Sequence, residues 1–159
     1  MGNRIPQYEP RLHVVLHQPE IPQNTGNVGR TCLAVEAKLW LVRPLGFRLD
    51  DHHLRRAGLD YWEHLEWDVV DDLPAVAAAT NAARFWYFSK TATVRYTSVP
   101  YQKGDVLVFG SETQGLPKPL LQSNAQRSVC IPTSPNVRSL NLSNAVAVAV
   151  YEAVRQWAE

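Results

Sequence analysis

Residues 130 to 157, C-I-P-T-S-P-N-V-R-S-L-N-L-S-N-A-V-A-V-A-V-Y-E-A-V-R-Q-W, hold a strand end, a loop and a helix in one block. An apolar strand closes from Val129 to Ile131, the chain passes Pro132 and Pro135, and a cluster of small polar residues leads into a long apolar run. Ser139, Asn141, Ser143 and Asn144 can each hydrogen-bond the orphan amides of a helix start, where those amides and a partial positive charge also suit a ligand. A single cap would suffice, so polar groups are left over for other work. The valines between Ala145 and Val150 alternate like those of a buried strand. The run is too long for an ordinary strand, alanine is a strong helix former, and Tyr151 to Trp157 continue at helical spacing, so the segment reads as a helix. Val146, Val150, Val154 and Trp157 make one stripe; Leu142, Ala145 and Ala149 make a second. A helix apolar nearly all round needs cover on more than one side, either from a second subunit or from one tightly packed core.

Working outward, the rest of the chain alternates short apolar strands with helices. Leu12 to Leu16 is a strand, and the proline-bounded loop Pro19 to Asn24 delivers the chain to a helix near Thr25. Leu39 to Val42 is the second strand, followed by a turn at Pro44 to Gly46 and a helix through Leu54 to Ala57, capped by Asp50 or Asp51 and ended by Gly58. Trp67 to Val70 is the third strand, and Asp72 caps an alanine-rich helix from Leu73 to about Thr80 with Pro74 in its first turn. Arg84 to Phe88, Asp105 to Phe109 and Ser128 to Ile131 complete six strands, with a short helix from Pro117 to Ser123. This order predicts an α/β domain with a mostly parallel six-stranded sheet flanked by helices.

Composition bounds the function without naming it. The chain has 159 residues and a net charge of +1, so it is one domain with a real core and no overall basic footprint; RNA binding would have to use local patches. Residues 1–10 read as a flexible leader and residues 11–159 as the domain. The two cysteines, Cys32 and Cys130, lack metal-ligand spacing, and both read as reduced residues of a cytosolic protein. Neither a signal segment nor an apolar run long enough to span a bilayer is present.

Ligands of parallel sheets bind beyond the carboxyl ends of the strands, and three such ends carry unusual residues. They are Asn24-Thr25-Gly26-Asn27-Val28-Gly29-Arg30, Phe109 to Pro117 (F-G-S-E-T-Q-G-L-P), and the block quoted above. No G-x-G-x-x-G follows a strand and no Lys-Ser/Thr ends a glycine-rich turn, which argues against a dinucleotide or nucleoside triphosphate. Two glycines early in the first helix point to a close approach by backbone or ligand. Arg30 suits a phosphate or carboxylate, or else pairs with Glu36 or solvent. Glu112, bracketed by Gly110 and Gly115, is either a site carboxylate or a helix-capping acid. His52 and His53 beside two aspartates do not share a helix face, so a solvated turn is preferred to a metal site. Tyr61 and Trp62 can stack a base or, more commonly, pack in a core or interface.

Taken together and in this order, N-T-G-N-x-G-R-T, F-G-S-E-T-Q-G-L-P and I-P-T-S-P-N-V-R-S-L-N-L-S-N-A-V-A resemble the three motifs of the SPOUT class of S-adenosylmethionine-dependent RNA methyltransferases. The resemblance covers Leu12 to Trp157. The run Asp50 to Tyr61, and the lack of an added RNA-binding domain, resemble the subfamily that methylates the ribose 2'-hydroxyl of the tRNA wobble nucleotide, position 34. The resemblance implies a C-terminal trefoil knot, an exception to unknotted topology, and a homodimer with the site at its interface. It places S-adenosylmethionine against Phe88, Gly110, Ile131, Ser139 and Leu140, although Phe88 by itself reads first as a core aromatic.

The implied chemistry is in-line methyl transfer from a sulfonium to a hydroxyl, for which no metal is needed. Alignment and help with the hydroxyl proton are what the protein must supply. The resemblance gives Arg30 that proton-handling role, with Asn24, Glu112, Ser139 and Asn141 positioning the groups. An arginine stays protonated, so orienting a phosphate and polarising the hydroxyl is its physical role. Arg55, Arg56 and Arg138 are the expected contacts to RNA, here the tRNA anticodon stem-loop. The chain ends at Glu159, soon after Arg155 and Trp157, and a short tail implies a weaker grip on that stem. The alternatives are the same chemistry on ribosomal RNA and a catalytically silent RNA-binding dimer.

Overall fold

The structure is a computed structural model that describes residues 6–49, 62–81 and 83–157. Its frame is a parallel sheet of β1 (Leu12–His17), β2 (Ala37–Val42), β3 (Trp67–Val70), β4 (Phe85–Phe88), β5 (Val94–Arg95), β6 (Val106–Phe109) and β7 (Ser128–Cys130). The order across the sheet is β3-β2-β1-β6-β4-β7-β5. Seven strands replace the six expected. The extra one, β5, is a two-residue edge strand held by parallel pairing of Val94 with Val129 and Arg95 with Cys130. Both its side chains are exposed, so it leaves no apolar pattern to read.

The central strands form because their side chains are apolar on both faces. β1 pairs with β2 from Leu12↔Ala37 to His17↔Val42 and with β6 from His13↔Val106 to Leu16↔Phe109. One face, with Leu12, Val14, Leu16, Leu39, Leu41, Trp86, Phe88, Leu107 and Phe109, packs under α1 (Pro22–Ala34) and α4 (Leu142–Trp157). The opposite face, with Val15, Trp40, Val42, Tyr87, Val106 and Val108, is covered by α2 (Leu73–Ala79) and α3 (Lys118–Ser123) through Val76, Leu120 and Leu121. The helix expected over Leu54 to Ala57 lies outside the described residues.

α1 starts at Pro22 rather than near Thr25, because a proline in the first turn loses no hydrogen bond and presets the helical φ. Gly29 lies within this helix, and a Cβ there would come 2.2 Å from the Trp62 ring. The close approach that its glycine serves is thus made by a buried tryptophan, 9% exposed, and not by a ligand. Trp62 in turn lies 5.2 Å from Trp67, so it is a core residue and not a base-stacking platform. α2 is capped by Asp72, whose carboxylate accepts from Ala75 N at 2.9 Å, as its sequence led us to expect.

α4 is a helix through the whole Ala/Val run. Leu142, Val146, Ala149, Val150 and Ala153 are buried, while Val148 and Tyr151 are 40% and 52% exposed. With Asn144 and Arg155 these two make an outward stripe at helical spacing. Within the expected leader, Gln7 N donates to the Glu66 carboxylate, and the Tyr8 hydroxyl donates to Ala37 O and accepts from Glu66 N at 2.8 and 3.1 Å. Burial pushes the Tyr8 phenol up to about 12. Both cysteines are free thiols, and burial raises that of Cys32.

On the α2 side, Trp40 Nε1 donates to His13 Nδ1 at 3.1 Å, and the Lys38 ammonium sits 4.1 Å from the Trp40 ring and 2.7 Å from Asp68. Burial, then the Lys38 charge, lowers His13 from 6.5 to about 4. The neutral ring accepts the indole proton, and protonation removes that acceptor. Because the folded-state value is depressed, this stabilisation is complete above pH 6.5 and is lost as pH falls toward 4. His13→Gln keeps an acceptor but does not titrate. Urea unfolding of this variant across that window should therefore show a smaller loss of midpoint on acidification than wild type, the residue of the slope coming from groups such as His17, also lowered by burial.

Candidate functional site

The loops after Phe88, Phe109 and Ile131 meet the start of α1 at one end of the sheet, where they enclose a cleft of about 670 Å³. The loop from Gly110 to Leu116 is shaped first. Gly115 takes φ +68° and donates its N–H to Ser111 O at 3.0 Å, closing a tight turn. A Cβ on Gly110 would lie 2.1 Å from the Gly115 carbonyl carbon and 2.3 Å from Leu116 N. The missing side chain at Gly110 thus lets the turn close on itself while its backbone faces the cleft.

This turn presents Glu112 to the start of α1. The carboxylate accepts from Glu20 N at 2.7 Å, from Ile21 N at 3.3 Å and from Asn24 Nδ2 at 3.5 Å. Glu112 is therefore a helix-capping acid, supplied to α1 from a distant loop. The contact is reciprocal, since Glu20 accepts from Thr113 Oγ1 at 2.6 Å and Thr113 N at 3.2 Å. Those bonds, the hydroxyl's first, hold the Glu20 carboxyl below its ordinary value.

Asn24 carries the linkage on to the third loop. Its Oδ1 accepts from Asn141 Nδ2 at 3.0 Å, and Asn141 Oδ1 accepts from Ser143 N at 2.9 Å and Ser143 Oγ at 2.6 Å. Asn141 is thus the N-cap of α4, and its amide is oriented by partners on both sides. Beside this polar row stands an apolar wall. Phe88 stacks on Phe109 with ring centroids 4.6 Å apart, and Ile131, Leu116 and Leu140 line the same cleft. Phe88 is both a core aromatic, 8% exposed, and a cleft residue.

Of the residues singled out from sequence, Asn24, Phe88, Gly110, Glu112, Ile131, Arg138, Ser139, Leu140 and Asn141 all line this cleft. Arg30 does not; it is an exposed residue farther along α1. Arg55 and Arg56, with His52, His53 and Tyr61, lie outside the described residues. Two cations that sequence reasoning passed over, Lys90 and Lys118, also line the cleft. The signal for Lys90 was its place directly after the β4 end, where ligand-facing loops of parallel sheets begin. A smaller depression of about 340 Å³ over residues 122–127 has Arg127 as its one charged side chain, and that guanidinium stacks 4.7 Å from Trp86. Among the described residues, no group of three or more His, Cys, Asp or Glu side chains could hold a metal ion, and no helix is long and apolar enough to cross a membrane.

A polar row beside an apolar wall, with Lys118 and Arg138 among its lining, suits a ligand with a flat apolar part and a neighbouring polyanion. Residues 11–151 match the SpoU rRNA Methylase family model. The tRNA (cytidine(34)-2'-O)-methyltransferase of Burkholderia cenocepacia (strain HI2424) is 51% identical over 149 residues, 91% of this chain and 95% of that protein. A structure solved for structural insights into the 2-OH methylation of C/U34 on tRNA has a TM-score of 0.82 at 46% identity, covering 91% of this chain and 95% of that one. The AdoMet-bound rRNA methyltransferase from Sinorhizobium meliloti has a TM-score of 0.82 at 25% identity, covering 98% of this chain and 60% of that one.

The capping role of Glu112 has a measurable consequence. Glu112→Ala strands the Glu20 and Ile21 amides and should lower urea-unfolding stability by about 1–2 kcal/mol, the scale of a lost helix cap. Glu112→Gln keeps one acceptor oxygen and should lose about half as much. A carboxylate serving chemistry alone would leave stability unchanged in both variants.

Proposed function

The chain belongs to the SpoU methylase family, and from that premise we propose that it transfers a methyl group from S-adenosylmethionine to the ribose 2'-hydroxyl of nucleotide 34 of tRNA. One observation carries the reading: Asn24, Glu112, Ser139 and Asn141, drawn from three separated stretches, share a cleft with the apolar wall of Phe88, Ile131 and Leu140. The cleft volume falls within the ~300–1,000 Å³ range of small-molecule sites. The donor supplies a methyl group already activated on a sulfonium.

Within the cleft, Phe88, Ile131 and Leu140 with the backbone at Gly110 would hold the adenosine part, and Ser139 would contact the donor beside them. The linkage from Glu112 through Asn24 to Asn141 positions the three loops before substrate arrives, so alignment is built into the fold. Arg30 orients a substrate phosphate and polarises the attacking hydroxyl, whose proton leaves to phosphate or water. Arg138, with Arg55 and Arg56, holds the anticodon stem-loop.

Arg30 acts, in this reading, on the cleft of a second copy. It is exposed and outside the cleft of its own chain, on a helix that packs beside α4. Val148 and Tyr151 supply the apolar part of a homodimer face there. The same reading carries a trefoil knot, supported by the placing of β7 between β4 and β5, strands that both precede β6 in the chain. It places the enzyme in the cytoplasm, with its tRNA substrate.

Labelled methyl donor, offered with bulk tRNA and with ribosomal RNA separately, should give product at nucleotide 34 of tRNA. Product in ribosomal RNA alone would replace the substrate, and no product in either would favour a silent binding dimer. Arg30→Ala should leave donor affinity nearly unchanged and slow methylation roughly a hundredfold or more, the scale of a lost positioned catalytic group. Arg30→Lys keeps the charge without the planar fork and should not rescue it. Mixing Arg30→Ala with Asn141→Ala subunits should restore activity in dimers that join one intact cleft to one intact arginine. No restoration would mean that Arg30 serves its own chain.

A further inference from the structure

The stretch from Pro132 to Asn141 is exposed at every residue. It carries Arg138, Ser139 and Leu140 along the cleft. Its internal hydrogen bonds are local, from Val137 N to Ser134 O and from Asn136 N to Ser134 Oγ. Apart from the bonds by which Asn141 caps α4, the described residues tie it to the rest of the fold at two points. One is Asn141 on Asn24; the other is the Lys90 ammonium, which donates to Arg138 O at 3.3 Å.

Lys90 stands on a stiff turn. Ser89 N donates to Val129 O at 2.9 Å, which ties the turn to β7, and Ala92 N donates to Ser89 O at 3.2 Å. Ser89 Oγ accepts from Thr91 N at 3.2 Å and lies 2.9 Å from Thr91 Oγ1. A hydrogen-bonded turn therefore meets a strap with few ties, and both line the cleft. The strap carries two residues assigned to the donor, Ser139 and Leu140, immediately after the carbonyl that Lys90 grips.

We propose that Lys90 is a positioning residue that latches the 132–141 strap across the methyl-donor cleft and so sets how long the donor stays bound. The inference rests on the assignment of this cleft to S-adenosylmethionine. It differs from a phosphate contact, because the partner is a backbone carbonyl of the protein itself. The latch acts on donor residence and not on the transfer step, so its loss appears in the donor KM and leaves kcat at saturating donor nearly unchanged. Any side chain that can reach the carbonyl with an N–H serves; charge by itself does not matter.

Stopped-flow displacement of S-adenosylmethionine reads this directly on the full chain. Lys90→Met, of similar length but without a donor, should speed donor dissociation about three- to tenfold, the scale of one intramolecular hydrogen bond. Lys90→Arg should stay close to wild type. Limited proteolysis should cut the 132–138 segment faster in Lys90→Met than in wild type, and added donor should slow the cutting. Thermal melting matched to wild type shows that the variant is folded; Lys90→Gln, whose N–H falls about one bond short of the carbonyl, serves in its place if Lys90→Met melts early and should then also speed dissociation. Unchanged dissociation and unchanged cutting in folded Lys90→Met would overturn the latch, as would rapid dissociation in Lys90→Arg. A loss confined to RNA affinity, with a shallower salt dependence, would make Lys90 a phosphate contact instead. Failure of wild type itself to bind the donor would overturn the cleft assignment, which separates that failure from this one.

Discussion

The side-chain amide of Asn24 holds the cleft together. One end donates to Glu112 and the other accepts from Asn141, so residues from the first, second and third loops meet through one planar group. An amide can do this because it has a donor and an acceptor side by side. Aspartate would set a carboxylate against Glu112, and leucine would leave both partners unmatched. Asn24 is 6% exposed, which makes each unmatched partner costly.

The rest of the architecture serves to bring those loops within reach. Parallel pairing sends β1, β6, β4 and β7 in one direction, so the loops after them emerge at the same end of the sheet. α1 and α4 then pack over one face of that sheet, and their N-termini hold Asn24 and Asn141 together. Each helix start is capped in its own way: α4 by its own Asn141, α1 by Glu112 from the loop after β6. The second cap is long-range in sequence, and it joins loops that follow the paired strands β1 and β6.

Much of this was legible in the chain because apolar runs and caps are local signals. The central strands, the Asp72 cap and the long final helix were all read from neighbours within a few residues. β5 was not, since an edge strand with two exposed side chains pairs through backbone alone. The reason for Gly29 was misplaced for another cause: sequence shows that something comes close, but only the fold shows that it is the Trp62 ring. Glu112 stayed ambiguous between a chemical carboxylate and a cap, because its amide partners lie at Glu20 and Ile21, remote in the chain. Nine of the residues singled out for the site nevertheless line one cleft, since polar residues at the carboxyl ends of parallel strands have few structural duties there.

The cleft divides its labour between two kinds of support. On the α1 side, the Glu20–Thr113 and Glu112–Asn24 contacts interlock the first two loops through several bonds at once, and a buried asparagine completes them. On the β4 side, a single exposed lysine spans to a strap with no buried residue. A site needs both. In the proposed reaction, rigid polar groups align the reacting hydroxyl at no further entropic cost, while a donor that must enter and leave at every turnover requires one wall that opens cheaply. Several mutually supporting bonds suit the first task and one solvent-screened bond the second, so strong and weak ties fall in different parts of the cleft for a physical reason.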